Sequence, residues 1–300
     1  MQRKSMRGSP TSVYLTAMAV ADAGTVYAVF LPKVAFPDAE TTYDWVCKMN
    51  VFFLFGFGDV AVWILAATTV DRFIAVVLPL KAKHLCTVVR SCIVVFLIIV
   101  VAIVKNVHLW YTRGISYTPA DVNANVTSSA GSNATVSASC WYLPDHSHFE
   151  TYIRPWIGIT FYALIPMGVI FCCNITIIWK LRKMSKIRQT NSKTPGDSGG
   201  KIKPNSMTAM LLAISLMFMF MVTPAIGIYV AANFWAKDEH STAKLIMAFA
   251  ITDILVGINH STNFILYVIA GRRFRRELLL MCACRKDLVY PQSMDQSVDG

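Results

Sequence analysis

Four acidic side chains fall inside apolar stretches of this sequence, and each needs a chemical reason to be there. Asp22 lies within Val13–Leu31, Asp59 and Asp71 within Val51–Val77, and Asp253 within Ala243–Ala270. A carboxylate in apolar surroundings is costly unless it is paired, hydrogen-bonded or neutralised, so each marks a candidate site. Asp71 is followed at once by Arg72 and Phe73, closing an apolar run that begins at Cys47. Twenty-five helical residues rise roughly 37 Å, which sets Cys47 and Arg72 on opposite faces of a membrane. Taken alone, Asp71 and Arg72 also suit two ordinary charges where a helix meets water. Asp253 can accept a charge-assisted hydrogen bond from an Arg or amine of a ligand; the alternative is an internal pair with Lys105 or Lys244. Asp59 is open between a pocket floor and a hydrogen bond to a neighbouring helix.

Elements able to position these residues follow from composition. The 300-residue chain is 55% hydrophobic and 15% charged, against roughly 25% charge in soluble domains. Apolar stretches at 13–31, 51–77, 92–111, 156–179, 207–235 and 243–270 predict six membrane-spanning helices. Of the 28 Lys and Arg, 21 fall in segments 1–12, 71–91, 180–205 and 271–300. Basic residues on alternate connections place those segments in the cytoplasm. The net charge of +11 is therefore a topological signal, and the alternation excludes a nucleic-acid-binding patch. The expected class is an all-α, polytopic membrane helix bundle. Residues 1–12 form a cytoplasmic segment, 13–270 the bundle, and 271–300 a short amphipathic inner-surface helix and tail in contact with membrane lipid.

The topology sorts the remaining features. Cys47 and Cys140 fall on the outer side, where disulfides persist. Residues 112–155 read as a long outer loop carrying two glycosylation triplets, at Asn125 and Asn133. Cys282 and Cys284 follow the basic amphipathic stretch and are either palmitoylated or free thiols. Ala19-Val20-Ala21 fits a signal-peptidase site, but apolar residues continue to Leu31 and favour a retained span. No span carries the regular Arg/Lys repeat of a voltage sensor, and no internal symmetry suggests a transporter. Neither a Gly-x-Ser-x-Gly nor a His-Glu-type motif is present, so an enzyme is not expected.

Thr69-Val70-Asp71-Arg72-Phe73-Ile74-Ala75-Val76 through Pro79-Leu80 resembles the third-helix signature of rhodopsin-like G-protein-coupled receptors, whose usual form is Asp/Glu-Arg-Tyr. Leu15 to Asp22 resembles the family's second-helix motif ending in a buried aspartate. Pro166 and Pro224 match prolines of its fifth and sixth helices, and Phe218 an aromatic before the latter. Asn259 to Tyr267, Asn-His-Ser-Thr-Asn-Phe-Ile-Leu-Tyr, is similar to the seventh-helix Asn-Pro-x-x-Tyr region with Phe264 in place of proline. Asn106 to Tyr111, with several replacements elsewhere, resembles invertebrate peptide receptors of the FMRFamide-like kind.

The resemblance implies a set of roles. Asp71, Arg72, Phe73, Asn263 and Tyr267 would form the inner switch that admits a heterotrimeric G protein. Cys47 would be bridged to Cys140. Asp22, Asn259 and Asn263 would form a sodium and water site, since a hard cation prefers such oxygens; the alternative is a protonated Asp22 bonded to Asn263. Asp253, Leu54 and Lys105 would face the pocket for an extracellular peptide ligand, and Leu54 in place of an amine-binding aspartate disfavours biogenic amines. No cofactor beyond sodium is implied. Departures are Val222 for a tryptophan, Ala61 for a serine near the sodium site, Asn174 for a tyrosine, and Ile98-Ile99 for a fourth-helix tryptophan. The chain begins where the family's first inner loop would be. On that reading Asp22 faces lipid, and the product is retained in the endoplasmic reticulum instead of reaching the plasma membrane. Alternatives are a non-signalling receptor fragment, or a six-span channel or transporter.

Overall fold

A computed structural model describes residues 9–35, 39–119, 136–191, 206–232 and 239–270. The chain is a bundle of long helices in the order α1 (Pro10–Ala35), α2 (Ala39–Thr42), α3 (Asp44–Val77), α4 (Pro79–Leu85), α5 (Val88–Asn106) and α6 (Leu109–Thr112). Strands β1 (Arg113–Pro119) and β2 (Val136–Tyr142) follow, then α7 (Arg154–Ile159), α8 (Ile165–Asn191), α9 (Ser206–Ala232) and α10 (Glu239–Ala270). Two π-helical turns, Phe149–Ile153 and Thr160–Leu164, flank α7. Together with α7 and α8 they form one continuous span.

Helix α3 is the axis. Half of its most apolar window is buried, against 17% for the window in Val88–Thr112. It packs on α1, α5 and α8. Their shared core joins Tyr14 and Met18 of α1, Val62 to Ala66 of α3, Ile170 of α8, and Leu211, Ile214, Phe218 and Val222 of α9. Gly24 permits the closest approach. A Cβ there would lie 2.7 Å from the ring of Phe57, which is itself stacked on Phe53. By contrast α5 turns Val89, Ile93, Phe96, Leu97 and Val104 outward. An apolar outer surface over a packed interior is the arrangement that lipid, not water, accommodates.

Local sequence explains the boundaries. Pro79 opens α4, where its missing N–H costs nothing. The Thr87 hydroxyl accepts the Arg90 N–H at the start of α5. Pro224 sits within α9, which continues through it.

Among the described residues, five helices combine the length and apolarity needed to cross a membrane. A sixth long helix, α1, packs against α3, α5 and α10, and its side chains from Val29 onward lie outside the described residues. One expectation needs correction. The outer connection 112–155 is not simply a loop. Its two ends pair as an antiparallel hairpin with Ile115 opposite Cys140, and the span that follows it starts at Phe149 rather than Trp156. Segment 271–278, with the amphipathic helix expected there, lies outside the described residues.

Candidate functional site

Polar side chains gather at three levels of the bundle. At the inner end, an Arg72 Nη2 donates to Asp71 Oδ2 at 3.0 Å and to the Thr11 hydroxyl of α1. Asp71 is buried, and its backbone carbonyl accepts the Cys86 thiol at 3.8 Å. Burial, and then that contact with Asp71, push the Cys86 thiol up to about 11. Beside Arg72 lies a small hollow lined also by Thr69, Asn174, Thr208 and Leu211. Two polar atoms there are buried without a hydrogen-bond partner among the described residues: Arg72 Nε, a donor, and Asn174 Oδ1, an acceptor. The Asn174 amide nitrogen meanwhile donates to Ser215 Oγ at 2.7 Å, tying α8 to α9. Phe73 is half-buried next to the pair.

At mid-depth are two separate carboxylates. Asp59 is buried and accepts two hydrogen bonds from Lys105 Nζ, at 2.9 and 2.8 Å, and one from Asn106 Nδ2 at 2.7 Å. This resolves the placement of Asp59. It bonds a neighbouring helix, and Lys105 is bound to it. The same ammonium lies 5.0 Å from the centre of the Phe161 ring. Asp22, also buried, is held from α10: Oδ1 lies 2.7 Å from His260 Nδ1, and Oδ2 accepts Asn263 Nδ2 at 2.9 Å. Asp22 therefore does not face lipid, contrary to expectation, because α1 turns it against α10. Asn259 is buried one residue before His260.

At the outer end Cys47 and Cys140 form a disulfide that ties β2 to the start of α3. The Asp44 carboxylate accepts the Ile115 N–H at 3.1 Å and so holds β1 to the same helix end. Beneath the hairpin, buried Glu150 accepts from Thr112 Oγ1 at 2.7 Å and Arg113 Nη2 at 2.9 Å, and pairs with Arg154 at 3.5 Å. Leu54 lies about two helical turns below Cys47, half-buried. Asp253 and Tyr267 are on α10, and their side chains lie outside the described residues, as do Asn125, Asn133, Cys282 and Cys284 entirely.

Residues 1–267 match the family described as "7 transmembrane receptor (rhodopsin family)". The chain belongs to that family. This receptor is 24% identical to the FMRFamide receptor of Drosophila melanogaster over 80% of its own length and 41% of that protein's. It is 26% identical to Opsin-VA of Rutilus rutilus, over 84% and 59%. With the thyrotropin-releasing hormone receptor of Gallus gallus the identity is 24%, over 95% and 73%. The receptor thus spans less than two thirds of the length of the first two. It is a multi-pass membrane protein of the plasma-membrane receptor class, and not an enzyme.

Four site residues escaped the sequence reading: Thr11, Glu150, Tyr162 and His260. For two of them a signal was present. His260 and Asn263 are three apart, hence on one helical face, and Glu150 and Arg154 have the spacing of an i,i+4 ion pair. Thr11 and Tyr162 gave none, since only the packing of distant helices brings them in.

The site expected to hold sodium can be tested against these contacts. A hard cation is bound by several oxygens. Here both oxygens of Asp22 face nitrogen, and the expected hydroxyl position is the methyl of Ala61, itself buried. The residues present do not fit the ion.

Proposed function

We propose that this receptor binds an extracellular peptide and promotes nucleotide exchange on a heterotrimeric G protein. The observation that carries this reading is the inner cluster around Arg72. Among the described residues its guanidinium is held by Asp71 and Thr11, beside a small hollow lined by a buried, unpartnered acceptor on Asn174. A guanidinium stays charged at every relevant pH and can bond several acceptors at once. When α9 moves outward, Arg72 leaves Asp71 and Thr11 for Asn174 Oδ1 and for carbonyls of an entering helix. The cost of releasing one pair is then offset by forming another.

A peptide ligand is supported by two of the three relatives, which are named as a peptide and a peptide-hormone receptor. Leu54 offers no carboxylate for an amine. Asp253, ten residues before Asn263 on α10, supplies the recognition charge. The test is nucleotide exchange in membranes from cells expressing the full chain, challenged with an amidated-peptide library. Arg72→Ala should abolish exchange and leave peptide binding intact, while Asp253→Asn should weaken binding by about tenfold or more. Full exchange by Arg72→Ala would remove the inner cluster from the mechanism.

A further inference from the structure

We propose that His260 takes the place of the sodium ion expected at Asp22, so that this site is a fixed histidine latch indifferent to sodium. The argument begins with the carboxylate. Oδ1 faces His260 Nδ1 at 2.7 Å and Oδ2 faces the Asn263 amide nitrogen at 2.9 Å. With Asp22 ionised, both nitrogens donate, and the positive ends of two N–H dipoles occupy the space in which a cation would touch the carboxylate. The two donors take one lone-pair direction on each oxygen, so sodium is left only the remaining directions or must displace a donor. A displaced His260 N–H would be buried without an acceptor, because the residue is only 3% exposed. Stranding a buried donor carries the full desolvation penalty of that group. Nor does the wall opposite supply an oxygen, since Ala61 is a buried methyl.

The imidazole does more than fill space. Its far nitrogen, Nε2, lies 3.4 Å from the Tyr162 hydroxyl. Tyr162 belongs to the π-helical turn Thr160–Leu164, and the carbonyl of the preceding residue, Phe161, accepts the Trp63 indole N–H at 3.1 Å. One extra residue per turn shifts the side chains of that turn around the helix and sets Tyr162 toward the bundle centre. Gly58 of α3 lies against it: a Cβ there would sit in ordinary contact with the Tyr162 ring, at 3.5 Å. The latch therefore joins three elements at one depth: α1 through Asp22, α10 through His260, and the span that follows the hairpin through Tyr162. A bound ion would bridge by exchangeable contacts. The imidazole is covalently part of the chain and cannot leave.

The test needs neither ligand nor G protein, so its failure is separable from failure of the proposed function. The purified full chain in detergent is unfolded by heat across a sodium series, with choline chloride holding ionic strength constant. The latch predicts the same midpoint in sodium and in choline at every concentration. A midpoint that climbs with sodium but not with choline would overturn the proposal. In choline, His260→Ala should lower the midpoint by several degrees and Tyr162→Phe by less, because it removes only the outer hydrogen bond. Should His260→Ala fail to fold, Tyr162→Phe and the wild-type salt series decide alone. A Tyr162→Phe midpoint identical to wild type would exclude Tyr162 from the latch, and wild-type sodium dependence would exclude the latch itself.

Discussion

The two ends of this receptor hold their charges differently. Outside, Glu150 is gripped by Thr112, Arg113 and Arg154, and the disulfide and Asp44 pin the hairpin above it to α3. Inside, one guanidinium rests on its own neighbour and a single threonine, with a small hollow beside it. The outer end joins elements far apart in the chain through several simultaneous contacts. The inner contacts are fewer, although each end keeps two buried polar atoms without a hydrogen-bond partner among the described residues: Arg72 Nε and Asn174 Oδ1 inside, His108 Nε2 and Arg113 Nε outside. The first arrangement suits a scaffold and the second a switch.

If that contrast is right, breaking the outer end should cost stability. Glu150→Ala should destabilise most, by about 3–5 kcal/mol, since it removes the buried partner of two half-buried guanidiniums, Arg113 and Arg154. The loss should appear as a lower unfolding midpoint of the purified protein and as poor surface maturation. Cys140→Ser follows, at about 2–4 kcal/mol, because it frees the hairpin from α3. Immunodetection of surface against total protein will measure it.

Breaking the inner end should cost less and change activity instead. Thr11→Val deletes one of the two anchors of Arg72 at a cost of about 1 kcal/mol. Ligand-independent nucleotide exchange should nevertheless rise. The smallest effect concerns the Cys86 thiol. Raised to about 11 by burial and Asp71, it is almost wholly protonated at neutral pH. The thiolate is the reactive species, so maleimide labelling of Cys86, read by peptide mapping, should be slow at pH 7 and quicken about tenfold per pH unit up to pH 10. Fast labelling at neutral pH would mean that the contact with Asp71 is absent.

Much of the fold was legible because lipid imposes length and apolarity on every span. The long helices, the alternation of basic segments and the Asp71-Arg72 pair at the end of α3 all follow from that. What stayed hidden depends on contacts between distant segments. The hairpin is hidden in the sequence because 112–155 is rich in Ser, Asn and Thr, whose composition reads as loop although Arg113–Pro119 and Val136–Tyr142 pair. The pairing of Asp59 with Lys105 is legible in part, since a lysine inside an apolar helix needs a carboxylate, but the family resemblance points Lys105 to the ligand pocket instead. The resemblance likewise points to the oxygens of Asn259 and Asn263 and not to the imidazole of His260 between them. A departure from the family pattern, Ala61, was the better clue.

The contrast between ends is tested most directly by two distances. Spin labels at exposed Leu80 and Ala209 report the inner mouth, and labels at exposed Tyr43 and Tyr152 the outer end, each pair in a background with free cysteines replaced by serine. Electron–electron resonance is recorded with and without a peptide from the C-terminal helix of a G-protein α-subunit. The inner distance should lengthen on adding the peptide while the outer distribution stays narrow and unmoved. An outer pair that shifts as far as the inner pair, or an inner pair that does not move at all, would contradict the account.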